Sequence, residues 1–432
     1  MTPSLSPELV LNILQSLDSP QDLYSIIAAS SHFYRGFASY RQSTTAAILR
    51  RAVTPQIEGD FLSAYRAQKI WRSVPEGNDD LYCPKGVFDL DRLRKKTAAI
   101  FEESTTSSPD NLNALISDSN ALPKVWMFYR KFDHLILKYA TSALQELSST
   151  FTVSQLSTAE KTRLKRAFFR CEIYTCLFQF SQLARESRTP VPFTDPAPTY
   201  IRTLPSWEIE QVHCVLQYYM TTVEHICDRM EDEFISLSKA RQLAYRPSKS
   251  ERAWKAELGL RRQHNEYIVS RGMLALWKLT HIPYVAARKA IVNTHQVGTR
   301  QACIVSDLER QPGRRSSEEI ADSDGNNTNF GWRWVWGGTK FYPSPYQVPA
   351  NSLLRDQGYV FWDQTRLEGI PPFSAPRARE GDLDKLPPGY RDHANSPGVE
   401  ARLADFEVNV HVVGMIADDI MNETMIQTMT ET

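Results

Sequence analysis

The chain has 432 residues, room for two or three folding units of about 150 residues or for one large helical body. Its 50 Lys+Arg balance 50 Asp+Glu, a formal net charge of +0 that argues against a nucleic-acid-binding or membrane-surface field. Hydrophobic residues make up 42% and charged residues 23%, an ordinary globular composition, and no apolar run approaches the roughly 18 residues of a membrane span.

The N-terminus, Met-Thr-Pro-Ser-Leu-Ser-Pro-Glu, lacks the basic and apolar regions of a secretory signal. Cys83, Cys171, Cys176, Cys214, Cys227 and Cys303 form no CxxC pair and no compact framework, and read as reduced, buried thiols. The expectation is an intracellular protein, cytoplasmic or nuclear.

Ser6-Pro7-Glu8 opens a first helix with a cap, a first-turn proline and an acid at the positive helix end. Leu9, Ile13 and Leu17 form its apolar stripe, widened by Val10 and Leu14. Asp18-Ser19-Pro20 breaks it and starts a second helix, where Ser19 and Asp22 resemble a capping box with a shorter acid. Leu23, Ile26 and Ile27 give that helix its apolar face. Phe33 and Phe37 mark a third helix, and Thr44 to Val53 a fourth. A helical stretch follows Gly59-Asp60 to about Trp71; Val74 to Lys85 reads as loop, Leu90 to Glu103 as helix and Ser104 to Asp110 as a polar break.

Three long helices are predicted at the centre. The first spans about Pro123 to Leu147. The second starts at Ser157-Thr158-Ala159-Glu160, a capping-box match, and carries Leu164, Phe168, Cys171, Thr175 and Phe178 beside a second stripe of Phe169, Ile173 and Leu177. Arg188 to Thr199, with four prolines, reads as a non-helical linker. The third, capped by Ser206, repeats Val212, Leu216, Tyr219, Val223, Ile226 and Met230. Ser248 to Thr280 reads as helix broken near Gly272, and Tyr284 to His295 as another helix. The basic runs Arg92–Lys96 and Lys161–Arg166 read as solvated helix faces.

Gln311 to Asn329 is polar and reads as a flexible loop. Trp332, Trp334 and Trp336 alternate, so a strand would point all three to one side. Gly337-Gly338 and Thr339–Tyr342 complete a hairpin pattern. The tryptophan stripe reads either as a target-binding surface or as packing of the hairpin on the body. Tyr359–Trp362 is a second short apolar run, Pro371 to Pro397 reads as loop, and the last thirty residues hold at most one short helix.

The N-terminal pieces together resemble the F-box. The residues are Leu5-Ser6-Pro7-Glu8-Leu9, Asn12-Ile13-Leu14 with Leu17, Asp22-Leu23-Tyr24-Ser25-Ile26, and Ala28 through Phe37. Ser6 stands where the family usually has proline, which moves the entry bend to Pro7. The resemblance covers about a tenth of the chain. Arg166–Arg170 and Gly358–Asp363 resemble segments of the helical bodies that follow such N-termini in filamentous-fungal F-box-like proteins. This resemblance implies a substrate receptor that bridges a Skp-type adaptor of a cullin–RING ubiquitin ligase to a target protein. Leu5, Pro7, Leu9, Ile13 and Leu14 would meet the adaptor, and the chain would supply no catalytic residue, cofactor or metal ligand.

The expected architecture is mainly α: an N-terminal three-helix F-box-like module (1–53), a large irregular helical body (54–310), a flexible loop (311–329), and a C-terminal region (330–432) with a small β-hairpin packed on the body. Two other readings stay open. One is a non-ligase scaffold with the module as a structural cap, in which case the N-terminal patch is buried. The other is an enzyme with a site in the body lined by His213, His225 or Cys171 and carboxylates. No GxSxG, HExxH, Walker or GxGxxG motif occurs. His213 and His225 are twelve residues apart on one helix and favour core over zinc. Asp322–Asn326 lacks the closing Glu of a calcium loop.

Overall fold

The computed structural model describes residues 5–72, 110–186, 196–241, 261–284, 304–309, 330–336 and 354–370, with a few further positions near 97 and 286. Every regular element among the described residues is helical.

The first four helices are α1 (Pro7–Gln15), α2 (Pro20–Ala29), α3 (Ser31–Ser39) and α4 (Arg41–Ala52). Ser6 Oγ accepts from the Leu9 amide at 3.3 Å, so serine performs the capping that the sequence assigns to it. At α2 the Ser19 hydroxyl accepts from the Asp22 amide at 3.1 Å and donates to Asp22 Oδ2 at 2.7 Å. The acid thus meets the serine side chain, because Asp is one methylene too short to reach the cap's own amide.

Packing selects among the apolar positions of α1. Val10 and Leu14, one turn apart, are buried, whereas Leu9 is 45% exposed. Gly36 of α3 lies against Val10: a Cβ there would sit 2.5 Å from Val10 Cγ1. The missing side chain lets α3 cross α1 closely, which turns Val10 and Leu14 inward. Helix α4 packs on both α1 and α3 and also on α6 (Asp110–Ser117) and α7 (Leu122–Leu147). Its Ile48 and Leu49 are fully buried in a core that runs continuously into the body.

The body is built on α8 (Thr158–Glu186), beside which lie α5 (Pro55–Arg72), α7 and α10 (Ser206–Arg241). The Ser157–Glu160 capping box closes in both directions, at 2.9 and 3.1 Å. Leu164, Phe168, Cys171 and Thr175 are all 0% exposed, as the two stripes of α8 require. Phe61, Phe128, Phe132 and Phe169 stack where α5, α7 and α8 meet, with ring centroids 4.6 to 5.7 Å apart. The chain break at Gly272 separates α11 (Arg261–Ser270) from α12 (Met273–His281). Short helices α13 (Ile304–Glu309), α14 (Phe330–Trp336) and α15 (Gln364–Leu367) complete the described elements.

Four expectations are corrected. Residues 330–336 form α14, not a strand, so Trp332, Trp334 and Trp336 do not share one side: two helical steps turn a side chain by about 200°. A lone strand needs a neighbour for its backbone groups, whereas one turn of helix satisfies them locally. Gly331, with no Cβ, lets α14 rest against the Tyr359 carbonyl. Second, the proline-rich stretch 188–199 is helical at its end, where α9 (Pro196–Ile201) carries Pro196 and Pro198 in its first turn, the part of a helix that makes no use of their missing amides. Third, Pro205, not Ser206, provides the first intrahelical carbonyl of α10, accepting from the Ile209 amide at 3.1 Å. Fourth, the run Lys161–Arg166 is not a solvated face: Arg163 is 3% exposed, and Lys165 reaches the Ala52 carbonyl at 2.9 Å.

The predicted segments at 74–85, 90–103, 104–109, 288–295, 311–329, 337–342 and 371–432 lie outside the described residues, apart from single positions, as do Cys83 and Cys303.

Candidate functional site

The residues assigned to adaptor contact separate into two groups. Leu5 (38%), Pro7 and Leu9 (45%) are exposed, and Ile13 is half-buried. Leu14 is fully buried against α3 and leaves the candidate face. Leu9 and Ile13, one turn apart, share a stripe of α1 next to the one that carries Val10 and Leu14. Of the five exposed large apolar side chains among the described residues, Leu5, Leu9, Tyr34 and Tyr40 fall in the first forty positions and only Met127 in the body. Such clustering on one small module is how docking surfaces are built.

Helices α1 to α3 are held to the rest of the chain by other contacts. Pro20 and Leu23 of α2 are buried, and the Arg130 guanidinium of α7 lies 4.4 Å from the Tyr24 ring. Arg51 of α4 donates to the Leu17 carbonyl at 3.1 Å, and Arg50 to Asn113 at 3.3 Å.

The tryptophan candidates are packed. Trp332 meets Trp207 edge-on at 6.4 Å, and both Trp332 and Trp334 are half-buried against the core. Trp336 lies at the end of α14, and its side chain is outside the described residues.

The positions named for an enzyme site do not converge on an open site. Cys171 and His213 are buried, at 0% and 1% exposure, while His225 faces solvent. Burial, and secondarily Glu172, push the Cys171 thiol well above its usual value, which keeps it a neutral thiol. Among the described residues, Cys171, Cys176, Cys214 and Cys227 form no disulfide. Among the described residues no three His, Cys, Asp or Glu side chains are arranged to hold a metal ion.

Buried ion pairs are the main polar feature of the body, and spacing alone did not reveal them. Arg166 and Arg170 of α8 face Asp60 of α5 and Glu208 of α10 in a charge-balanced group of four. The segment 354–370 is fastened the same way. Arg163 Nε donates to the Phe361 carbonyl at 2.9 Å and its guanidinium pairs with Asp363. Arg366 grips both oxygens of Glu160 at 2.8 Å. Tyr359, Val360, Phe361 and Trp362 are thereby buried to within 1%. These groups neutralise one another, so they fasten helices and offer no free charge to a ligand.

No family model, curated protein or solved structure matches this chain. Among the described residues no helix is long and apolar enough to cross a membrane. Among the described residues, fold and site therefore define a mainly helical body with one continuous core and exposed apolar side chains on its N-terminal helices.

Proposed function

We propose that the protein is an F-box-like substrate receptor. Its N-terminal module would dock a Skp-type adaptor through Leu5, Pro7, Leu9 and Ile13, and its helical body would present a target protein. The observation that carries the reading is the exposure of Leu5, Pro7 and Leu9, with Ile13 half-buried one turn on, beside the buried Val10 and Leu14. A module serving only as a structural cap would turn these side chains inward, so the exposure favours docking over the scaffold reading. Its role would be positioning: holding a target near the transferring enzyme raises the effective concentration of target lysines.

The test is capture of a Skp-type adaptor by the full chain. Wild type should retain it, and Leu9→Asp and Ile13→Asp should lose it while melting as wild type does. Absence of adaptor binding by the wild type rejects the reading. Full binding by both folded variants rejects the assigned face.

A further inference from the structure

A cleft opens where α2, α7 and α12 meet, lined by Tyr24, Arg130, Asp133, His134, Trp277 and His281. Its volume of about 190 Å³ equals roughly six water molecules' share of liquid volume, enough for one small polar group. We propose that this cleft binds a phosphate-type oxyanion through Arg130, His134 and His281. The inference is independent of the adaptor reading.

Three nitrogen donors converge without a carboxylate partner. The His134 and His281 rings meet edge-on with centroids 4.3 Å apart. Among the described residues, neither histidine nor Arg130 has a carboxylate within ion-pair distance. His281 Nδ1 lies 2.8 Å from the Trp277 carbonyl, which accepts its proton and leaves Nε2 for a ligand. The Trp277 ring stacks on His281 at 4.3 Å and fixes its plane. His134 makes no hydrogen bond among the described residues. Arg130 lays its guanidinium face on Tyr24 at 4.4 Å, and its one hydrogen bond is a 3.9 Å contact to Met127 Sδ. Among the described residues no other group takes its donating edge, and a planar fork of this kind suits an oxyanion.

Asp133 is the cleft's own acid, but its charge is engaged elsewhere. Tyr129 donates to it at 3.3 Å, and Lys165 of α8 lies within Coulombic range. Of the other charged groups, Lys131 of α7 lies over the Trp277 ring at 4.4 Å, Lys138 of α7 is within Coulombic range of His134, and Asp22 of α2 is within range of Asp133. Cations outnumber acids among these groups. Consistently, burial first and then His281, Lys138 and Arg130 hold the His134 ring below its usual pKa. An arriving anion would reverse that balance and favour the protonated His134 ring, so binding strengthens as pH falls toward 6.

The experiment follows the histidine ring protons of the full chain by NMR at low ionic strength near pH 6, while inorganic phosphate is added. A saturable shift of His134 and His281 is expected, with the His134 pKa rising by about one unit. Arg130→Gln and His134→Gln should each weaken binding by about fivefold or more; His134→Gln should keep the wild-type melting temperature, while Arg130→Gln, which also loses the Tyr24 contact, should melt slightly lower. Phenyl phosphate, run in parallel, identifies the source: tighter binding than inorganic phosphate marks a phosphate carried on a flat organic group, and equal binding marks free phosphate. Absence of saturation at millimolar phosphate, or variants that respond like wild type, overturns the proposal.

Discussion

Arg355 and Glu210 form a two-pronged ion pair, 2.8 and 3.2 Å long, between positions 145 residues apart in the chain, with side chains only 4% and 2% exposed. Tyr359 adds its hydroxyl to the same Glu210 oxygen at 3.0 Å. One carboxylate thus joins α10 to the segment that carries Tyr359–Trp362. Removing one partner of such a pair strands a buried charge. Glu210→Gln should destabilise the protein by roughly 3–5 kcal/mol in chemical denaturation. Replacing both partners with apolar residues should recover part of the loss, but not all, since the Tyr359 hydroxyl loses its Glu210 acceptor. A single variant as stable as wild type would show that the pair contributes nothing.

Gly272 has φ 87 and ψ 174, backbone that glycine alone adopts readily. A Cβ there would sit 2.8 Å from Glu172 Oε2, the atom that accepts from the Met273 amide at 2.7 Å and so caps α12. Gly272→Ala should cost about 1–3 kcal/mol through strain, with a further loss if the cap is displaced. Urea unfolding of the variant checks this.

Leu9 and Leu14 differ by about half a helical turn and should respond oppositely. Leu14→Ala should cost roughly 2–5 kcal/mol by opening a cavity against α3. Leu9→Ala should fall within about 0.5 kcal/mol of wild type. Only the Leu9 change should weaken adaptor capture at equal folded fraction, a comparison that separates docking from folding.

Two carboxylates give stability opposite dependences on pH. Burial raises Asp133 from 3.8 to about 6, against the opposing pull of Lys165 and the Tyr129 hydrogen bond. The native protein then holds this proton longer than the unfolded chain does, so stability falls as pH rises from about 4 to about 6. Asp133→Asn should remove that slope, worth roughly 3 kcal/mol across the window. For Asp363, burial alone would raise the pKa, but hydrogen bonds from Ser157 and Arg163, together with the Arg163 charge, outweigh it and hold the carboxyl below its usual value. Its contribution is present above about pH 4 and is lost as pH falls through the lower folded value. Melts of Asp133→Asn and Asp363→Asn across pH 3–7 separate the two.

Local signals made the helices legible. Ser6, Ser19 and Ser157 act as caps where the sequence places them, and the stripes of α8 and, from Val212 to Val223, of α10 go into the core. A cap or a turn-by-turn stripe is settled within a few residues, so its signal lies in neighbouring positions. The alternating tryptophans misled for the same reason. Alternation marks a strand only if another strand pairs with it, and Gly331 against the Tyr359 carbonyl made helix the better solution.

The sequence by itself determined that the chain is mainly helical, where most helices begin, and that α1 carries more apolar positions than one face can bury. Tertiary structure decided which of them stay outside, because the crossing of α3 over α1 at Gly36 chose Val10 and Leu14 over Leu9 and Ile13. It also decided the fate of the charges. Arg163 and Arg166 read as part of a solvated run until Asp363, Asp60 and Glu208 arrive from distant parts of the chain. Burial of a cation depends on a partner within a few ångströms in space, and no local pattern encodes where in the chain that partner lies.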